Sequence, residues 1–579
     1  MPVLHFSGHF TFHMPEYNNA PRNRKEVFNA TLSKDKVLEI CGCDPAHYFE
    51  FRFFDVKATQ VTYDNGEMDE QYDPIIGQNV DMSGIMPDVS PSAICAQLFA
   101  GKLRIGSTIL TGNVHKAVQS DLRLNIRPLG FDDQTAAAHF ETLIDIVSIN
   151  NQQGSRYLTE LKDIKILELY YHLNHYTRLD NQEEPVEKKL TGGVYGYIRR
   201  SASIMDSNGL RIKGRRLVAH PNLKATTEVG RNFLYNNPQD PIMRITDIDG
   251  SYDIFQTDML LMLRYLDFIP FLDRKYTTPD VGKYRIYFSN DNGERIDIGE
   301  FEGNHEEMKL TGGLLIFRLT EHLETRDDLN LIIEVVKTDS SAVEPLMIES
   351  EWDIVLESAR GITMGSNTTA EVIAKVYRKN RGIQDHKVRL FTEPQNRRSP
   401  LAVSFIDSTM NTDMEGKIKA TLKAIDLMNA NGVYDPIDRL MYDQLPTDRN
   451  YGNYVYLEID NKLRRTRPAV EQIEIPVRVL HVVNPESIPI EEISFRRHIL
   501  PLFSYYIRYF PWLHVVEKQN SYVQFLDLEN VKSFSQFTPV IIARLSKDEG
   551  EREKMPRSRD FPFGGVEMIR RWQEAGMPD

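Results

Sequence analysis

The sequence predicts a mainly β, multi-domain protein. It should hold β-sandwich and β-barrel-like units, one of them an immunoglobulin-like sandwich, with a small helical region at the C-terminus. Three observations carry this. Apolar and polar residues alternate with a period of two in many segments, as in LELYYHL, where Leu167, Leu169, Tyr171 and Leu173 alternate with Glu168, Tyr170 and His172. Aromatic and β-branched runs end at turn signals such as Asp64-Asn65-Gly66. Beyond Pro485 and Pro489 the apolar spacing becomes helical.

Taken in order, residues 48–63 (YFEFRFFDVKATQVTY) read as strand up to that turn, and 167–173 as a half-buried strand. Residues 283–301 read as a hairpin around Asn290-Asp291-Asn292-Gly293. Lys189-Leu190-Thr191-Gly192-Gly193 recurs as Lys309-Leu310-Thr311-Gly312-Gly313. Both copies precede strand-like runs and mark either two related β units or a coincidence. Between about 350 and 482, some seven short strands with turns every 8–12 residues suggest a β-sandwich similar to bacterial immunoglobulin-like modules. Within it, TDMEGKIKATLKAI resembles a hairpin, although Lys and Ala leave a helix open over 417–429. Residues 491–513 carry helical spacing with Pro501 inside, 527–537 read as a short helix, and 564–576 as a terminal helix with Gly576 past its end. The expected domains are therefore 1–225 and 226–345, both β, a sandwich over 346–484, and a helical region over 485–579.

A length of 579 residues is consistent with three or four domains. The formal charge is −14, which disfavours a nucleic-acid partner, because an acidic surface repels phosphate. The three cysteines, Cys41, Cys43 and Cys95, exclude a disulfide scaffold and suit a reducing compartment. No stretch of about 18 apolar residues and no leader pattern stands out, so no membrane association and a cytoplasmic location are expected.

Few patterns could carry chemistry. Cys41-Gly42-Cys43 with His47 lacks the second pair of a closed zinc site. His5, His9 and His13 share a strand face, but on a straight strand the outer two lie roughly 26 Å apart. Glu302-x-x-His305 matches half of a di-iron motif but sits among strand and turn signals. Asp247-x-Asp249-Gly250-x-x-Asp253 lacks the closing Glu of a calcium loop and reads as a turn. No metal site is expected from these. His498, on an apolar segment with Tyr505, Tyr506, Tyr509 and Trp512 nearby, suits either a haem ligand or proton carrier, or a core histidine.

Scattered motifs then resemble one family in order along the chain. Leu4-His5-Phe6-Ser7-Gly8 with Pro15, Asn18 and Arg22, then Tyr63-Asp64-Asn65-Gly66, Asp73-Pro74-Ile75-Ile76-Gly77, Asp88-Val89-Ser90-Pro91 and Gln97-Leu98-Phe99-Ala100-Gly101, are similar to the N-terminal, non-ferritin-like half of the chromopyrrolate-type synthases of the violacein and rebeccamycin pathways. Arg497-His498-Ile499-Leu500, Tyr505-Tyr506, Tyr509-Phe510-Pro511, Met555-Pro556-Arg557-Ser558-Arg559-Asp560 and Ile569-Arg570-Arg571-Trp572 resemble the same family.

That resemblance implies oxidative coupling of amino-acid-derived imines with haem or iron. His498 would be the axial ligand or proton carrier, and Tyr509 and Arg559 would shape an anionic substrate pocket. In the family a ferritin-like domain with the iron ligands follows this region. The resemblance therefore implies a separate ferritin-like partner subunit, or else a different role. The alternative is a non-catalytic binding or assembly module, working as a homodimer or docked on such a partner.

Overall fold

The protein is described here by a computed structural model covering residues 2–13, 31–33, 50–85, 99–106, 109–114, 133–178, 189–200, 215–224, 227, 229–230, 235–236, 244–245, 249–255, 259–265, 268–269, 278–321, 323, 326, 328–337, 342–356, 362–378, 381–394, 403–424, 451–459, 472–480, 482–503, 515–518, 521–524, 526–548, 551, 554–556 and 561–579. The chain is mainly β, as its alternation predicts, and its strands gather into three units followed by a helical region.

The first unit is a closed barrel. β1 (Val3–His13), β3 (Glu50–Thr62), β5 (Val80–Ile85), β6 (Phe99–Ile105), β7 (Leu110–Val114), β8 (Asp133–Ile149), β9 (Ile166–Arg178) and β10 (Lys189–Arg200) form an antiparallel meander, and β1 pairs with both β10 and β3 to close it. β4 (Met68–Asp69) folds back on β3, while β2 (Thr31–Ser33) lies outside the barrel. Every second residue points inward, and the inward set is large and apolar: Phe6, Phe10, Phe51, Phe53, Phe140 and Tyr171 share one core. Phe140 stacks on Tyr171 at 5.0 Å, and Phe53 meets that tyrosine edge-on at 5.4 Å. Gly196 lies opposite Phe6 and Gly192 opposite Phe10. A Cβ at either glycine would come within 2.5 or 2.6 Å of the facing ring. The phenylalanines thus occupy the room their partners vacate, and side chains fill the middle of this barrel. α1 (Arg156–Glu160), N-capped by Ser155, adds Tyr157 and Leu158 to the same core.

The second unit is a second, unclosed barrel, a sheet curled toward closure with no ladder between its edge strands among the described residues. β11 (Arg215–Ala219), β14 (Asp249–Phe255), β15 (Leu260–Arg264), β16 (Lys283–Ser289), β17 (Arg295–Phe301), β18 (Leu314–Arg318), β19 (Asn330–Val336) and β20 (Val343–Glu349) run in the order β17-β16-β19-β20-β11-β14-β15-β18. At the two edges, Phe317 of β18 lies over Gly299 of β17, 2.8 Å from where a Cβ would stand. β12 (Tyr235–Asn236) and β13 (Arg244–Ile245) form a small separate hairpin. The 283–301 hairpin is present as β16 and β17, with Gly293 at φ 83° in its turn. Two sheet memberships move the expected domain limits. β11 belongs to the second sheet although it precedes residue 225, and β20 runs across residue 345. Asp249 and Asp253, expected in a turn, lie in β14, because that segment pairs with β11 and β15.

The third unit is an immunoglobulin-like β-sandwich. β21 (Trp352–Leu356), β23 (Thr369–Arg378), β26 (Val403–Phe405) and β28 (Lys417–Ala424) make one sheet, with β24 (Arg381–Gly382) on β23. β22 (Ile362–Gly365), β25 (Lys387–Pro394), β27 (Thr409–Asn411), β29 (Tyr451–Ile459) and β30 (Gln472–Leu480) make the other. Ile418, Ala420, Leu422 and Ala424 are buried in alternation, which settles 417–424 as strand. The expected hairpin is a turn between sheets instead, since β27 pairs with β25 and β28 with β23 and β26.

The C-terminal region holds α3 (Val531–Leu545), α4 (Gly565–Glu574), and a hairpin of β31 (Val515–Lys518) and β32 (Ser521–Gln524) that pairs with β2. α3 runs beyond the expected end at 537 and takes Pro539 inside it. Phe495, Phe534 and Trp572 make its core, and Ile85 of the first barrel joins them. The expected helix over 491–513 is broken in its described part. Ile490–Glu492 is a 3₁₀ turn and Phe495–Ile499 a π turn, in which the Leu500 N–H donates to the Phe495 carbonyl. The wider turn precedes Pro501, which has no N–H to continue a regular ladder. Among the described residues no helix is long and apolar enough to cross a membrane.

The two barrels touch through glycines. α2 (His305–Thr311) ends at Gly312, φ 57°, where a Cβ would stand 1.9 Å from the carbonyl oxygen of Gly196. Gly312→Ala is expected to cost about 4 kcal/mol or more, from the clash added to the left-handed backbone. Gly293→Ala meets nothing within 4 Å and should cost only about 1–2 kcal/mol for its φ of 83°. Urea unfolding of the two variants measures the difference, and equal costs would refute the close approach.

Candidate functional site

Titratable side chains concentrate where α2 of the second barrel lies on β1, β3 and β10 of the first. The helix exists there for local reasons. Asn304 caps it, accepting the Glu307 N–H at 2.9 Å, while the Glu307 carboxylate reaches back to the Gly303 N–H at 2.7 Å. The pair follows capping-box spacing, but the carboxylate takes the N–H groups just before the cap instead of that of Asn304 itself. Burial pushes the Glu307 carboxyl up, against the pull of those backbone donors. Gly312 in the left-handed region ends the helix. The repeated pentapeptide therefore adopts two structures. Its first copy lies within β10, while its second closes α2, because Gly312 and Gly313 both take positive φ.

The last turn of α2 leaves carbonyls without partners on its own helix, and the first barrel supplies them. Thr59 Oγ1 donates to the Leu310 carbonyl at 2.7 Å. His5 Nδ1 donates to the Thr311 carbonyl at 2.6 Å, and its Nε2 accepts from Thr62 Oγ1 at 3.2 Å. Both ring nitrogens are thus used by the neutral imidazole. Burial pushes His5 from 6.5 down to about 4, with the Thr311 carbonyl pulling the other way. From the second barrel, the Tyr265 hydroxyl meets Thr311 Oγ1 at 2.9 Å. At the other end of α2, His305 Nε2 and the Tyr195 hydroxyl are hydrogen-bonded at 2.9 Å. His305 is half-buried, and burial lowers its pKa, helped by Lys309 and His9 and opposed by Glu306.

Beside this helix the two barrels meet in an apolar seam of Val3, Tyr170, Tyr197, Leu260, Met262 and Leu314. A buried ion pair crosses the paired strands β9 and β10, Arg199 Nε to Glu168 at 3.0 Å, and Arg199 also donates to Met262 Sδ across the seam. The second barrel therefore covers the outer face of β9. Glu168, Tyr170 and His172, expected to face solvent, are buried like the residues between them.

Of the residues the sequence singles out, His498 is half-buried in the π turn. Its Nδ1 accepts the Ser494 N–H at 3.0 Å. Burial, then the neighbouring Arg497 charge, lowers its pKa against the Ser494 bond. A neutral imidazole accepting at Nδ1 carries its proton on Nε2. Neither nitrogen then offers a lone pair to iron, so His498 in this arrangement does not fit an axial haem ligand. Tyr509 and Arg559 lie outside the described residues, as do Cys41, Cys43, His47 and Cys95. His5 is buried and His9 exposed on one outer face of the barrel. Glu302 stands before the helix that begins at His305 and pairs with Lys283, which separates the halves of the di-iron-like motif. Among the described residues no three His, Cys, Asp or Glu side chains are grouped to hold a metal ion.

Sequence reasoning missed Tyr195, Glu307 and Thr311; Tyr195 and Thr311 meet partners distant in sequence, while Glu307 bonds locally to the Glu302 and Gly303 N–H groups. The only available signal was Asn304-x-x-Glu307, a capping-box spacing. Several motif residues have structural partners: Asp73 accepts from the Tyr63 hydroxyl and the Tyr157 N–H, Arg571 donates to the Pro485 and Ile488 carbonyls, and Trp572 Nε1 donates to the Pro578 carbonyl.

No protein-family model matches the chain, and no curated protein matches it. Solved structures similar to parts of it include the E. coli chaperone DraB, at 9% identity over 24% of this chain and 61% of that one, with a TM-score of 0.16. The match therefore spans less than two thirds of DraB. The D0-D1 domain of intimin matches at 10% identity over 39% of this chain and 89% of that one, with a TM-score of 0.15. Domains 4 and 5 of the S-layer protein SbsC match at 10% identity over 34% and 99%, with a TM-score of 0.14.

Two outcomes check this geometry. Glu168→Gln should destabilise the protein by about 3–5 kcal/mol by leaving Arg199 buried opposite a neutral amide, and Glu168→Leu with Arg199→Met should recover most of the loss in thermal unfolding. Haemin added to the purified chain should give the same absorption spectrum with wild type and with His498→Ala; a Soret band lost only in the variant would show that His498 binds iron.

Proposed function

We propose that this chain is a binding and assembly subunit that acts beside a separate ferritin-like subunit in the oxidative coupling of amino-acid-derived imines. One observation carries the assembly part. The first barrel, the natural place for a small-molecule cavity in such a fold, is filled at its middle by Phe6 and Phe10, whose rings pack over glycines, together with Phe53 and Tyr171. His5 and His305 of the seam are likewise engaged in hydrogen bonds that hold elements together, and the His498 ring is engaged within its own turn. The coupling reaction, the ferritin-like partner and a cytoplasmic setting come from the sequence resemblance and composition. In this reading iron chemistry belongs to the partner, and this chain supplies surface, order and reach.

The competing reading makes the chain an enzyme by itself, with His498, Tyr509 and Arg559 around a substrate carboxylate and haem as cofactor. Indole-pyruvate imine supplied to the purified chain separates the two. The expected outcome is no coupled product from this chain alone. Together with a ferritin-like domain of the resembled synthases, product should form faster than with that domain alone. Turnover by the isolated chain, or a partner reaction unchanged by its presence, would refute the proposal.

A further inference from the structure

We propose that the seam between the two barrels is an acid-opened latch, in which protonation of His5, supported by His305, releases α2 from the first barrel while each barrel keeps its own core. Three features of the geometry carry this. His5 bridges the units directly, with Nδ1 on the Thr311 carbonyl of the second barrel and Nε2 on Thr62 of the first. The ring is 1% exposed, so a charge there could not be hydrated without opening the seam. The barrels have separate cores, one built around Phe6, Phe53 and Tyr171 and the other around Tyr265, Tyr284 and Phe288.

Among the described residues, the groups around the latch bring no compensating charge to the ring. From β3 come Thr62 and Gln60, the latter bonded to Glu70, from β10 Tyr197, and from α2 Thr311 with Tyr265 behind it. Glu307, one turn back on α2, is engaged with the Gly303 and Glu302 N–H groups. The Glu168–Arg199 pair lies further along β9 and β10, with Arg264 of β15 beside Tyr170. At the far end of α2, a charged His305 would face Lys309 and His9 as like charges, with Glu306 opposing them.

The closed seam holds His5 near 4 where an open one would let it return toward 6.5. The open form therefore binds the proton more tightly, and acid favours it. Above about pH 6.5 the effect is absent; it grows as the pH falls toward 4 and levels off below. A difference of that size shifts the opening equilibrium by on the order of 300-fold across the window.

Hydrogen exchange of the full chain, read by mass spectrometry between pH 7.5 and 4.5 and corrected for the intrinsic pH dependence, tests this. Peptides over residues 303–313 should lose about 100-fold in protection at pH 4.5, while peptides from β5 and β6 and from β16 and β19 keep theirs. His5→Gln keeps a donor for the Thr311 carbonyl but cannot titrate, and it should remove most of the acid response. Should that variant fail to fold, the wild-type titration decides, through a one-proton midpoint between pH 4 and 6.5. Protection over 303–313 that survives at pH 4.5, that falls only together with both cores, or that falls equally in His5→Gln would overturn the proposal.

Discussion

Much of the molecule follows from one close approach, the backbone of Gly312 on the carbonyl of Gly196. No side chain fits between them, and so the short helix α2 lies directly on the outer wall of the first barrel. Its open carbonyls then fall within reach of Thr59 and His5, and its first residue within reach of Tyr195. A surface that would otherwise face water becomes an interior, which is why Val3, Tyr170 and Tyr197 can be apolar or aromatic on the outside of a barrel. The same covering turns Glu168 and Arg199 into a buried pair. Such a pair contributes little net stability but penalises arrangements that separate its members.

Polar groups in this seam are therefore structural first. Thr59, Thr311, Tyr195 and His5 each meet a hydrogen-bond partner on another element, and the neutral imidazole suits His5 because its two nitrogens differ in role. Among the described residues, no carboxylate stands at that ring to meet an added proton. That same requirement ties a packing device to the acidity of the solution, with no need for a dedicated sensor domain.

The C-terminal region follows a comparable logic with different chemistry. Its helices converge on Phe495, Phe534 and Trp572, and Arg571 spreads its guanidinium over two backbone carbonyls. β2, from near the start of the chain, pairs with β32 near its end, which ties this region to the N-terminal segment. His498 illustrates how a motif residue can have a local task. Its ring bonds to the N–H at the start of its own turn, and that bond dictates where its proton sits.

The sequence by itself determined what is local. Alternation identified the strands, Asn-Gly and Asp-Asn-Gly placed β-turns, and prolines and helical spacing marked the change near residue 485, because each depends only on residues a few positions apart. Tertiary structure alone decided which sheet a strand joins and whether its second face is covered. A period of two reports a contrast between faces and cannot report that a second barrel will bury both, as in β9. Nor can a pentapeptide reveal that one copy will extend a strand while the other ends a helix, since that depends on Gly196, more than a hundred residues away. The candidate site was hidden for the same reason: His5, Tyr195 and Thr311 are ordinary residues in sequence and become a set only when β1, β10 and α2 meet.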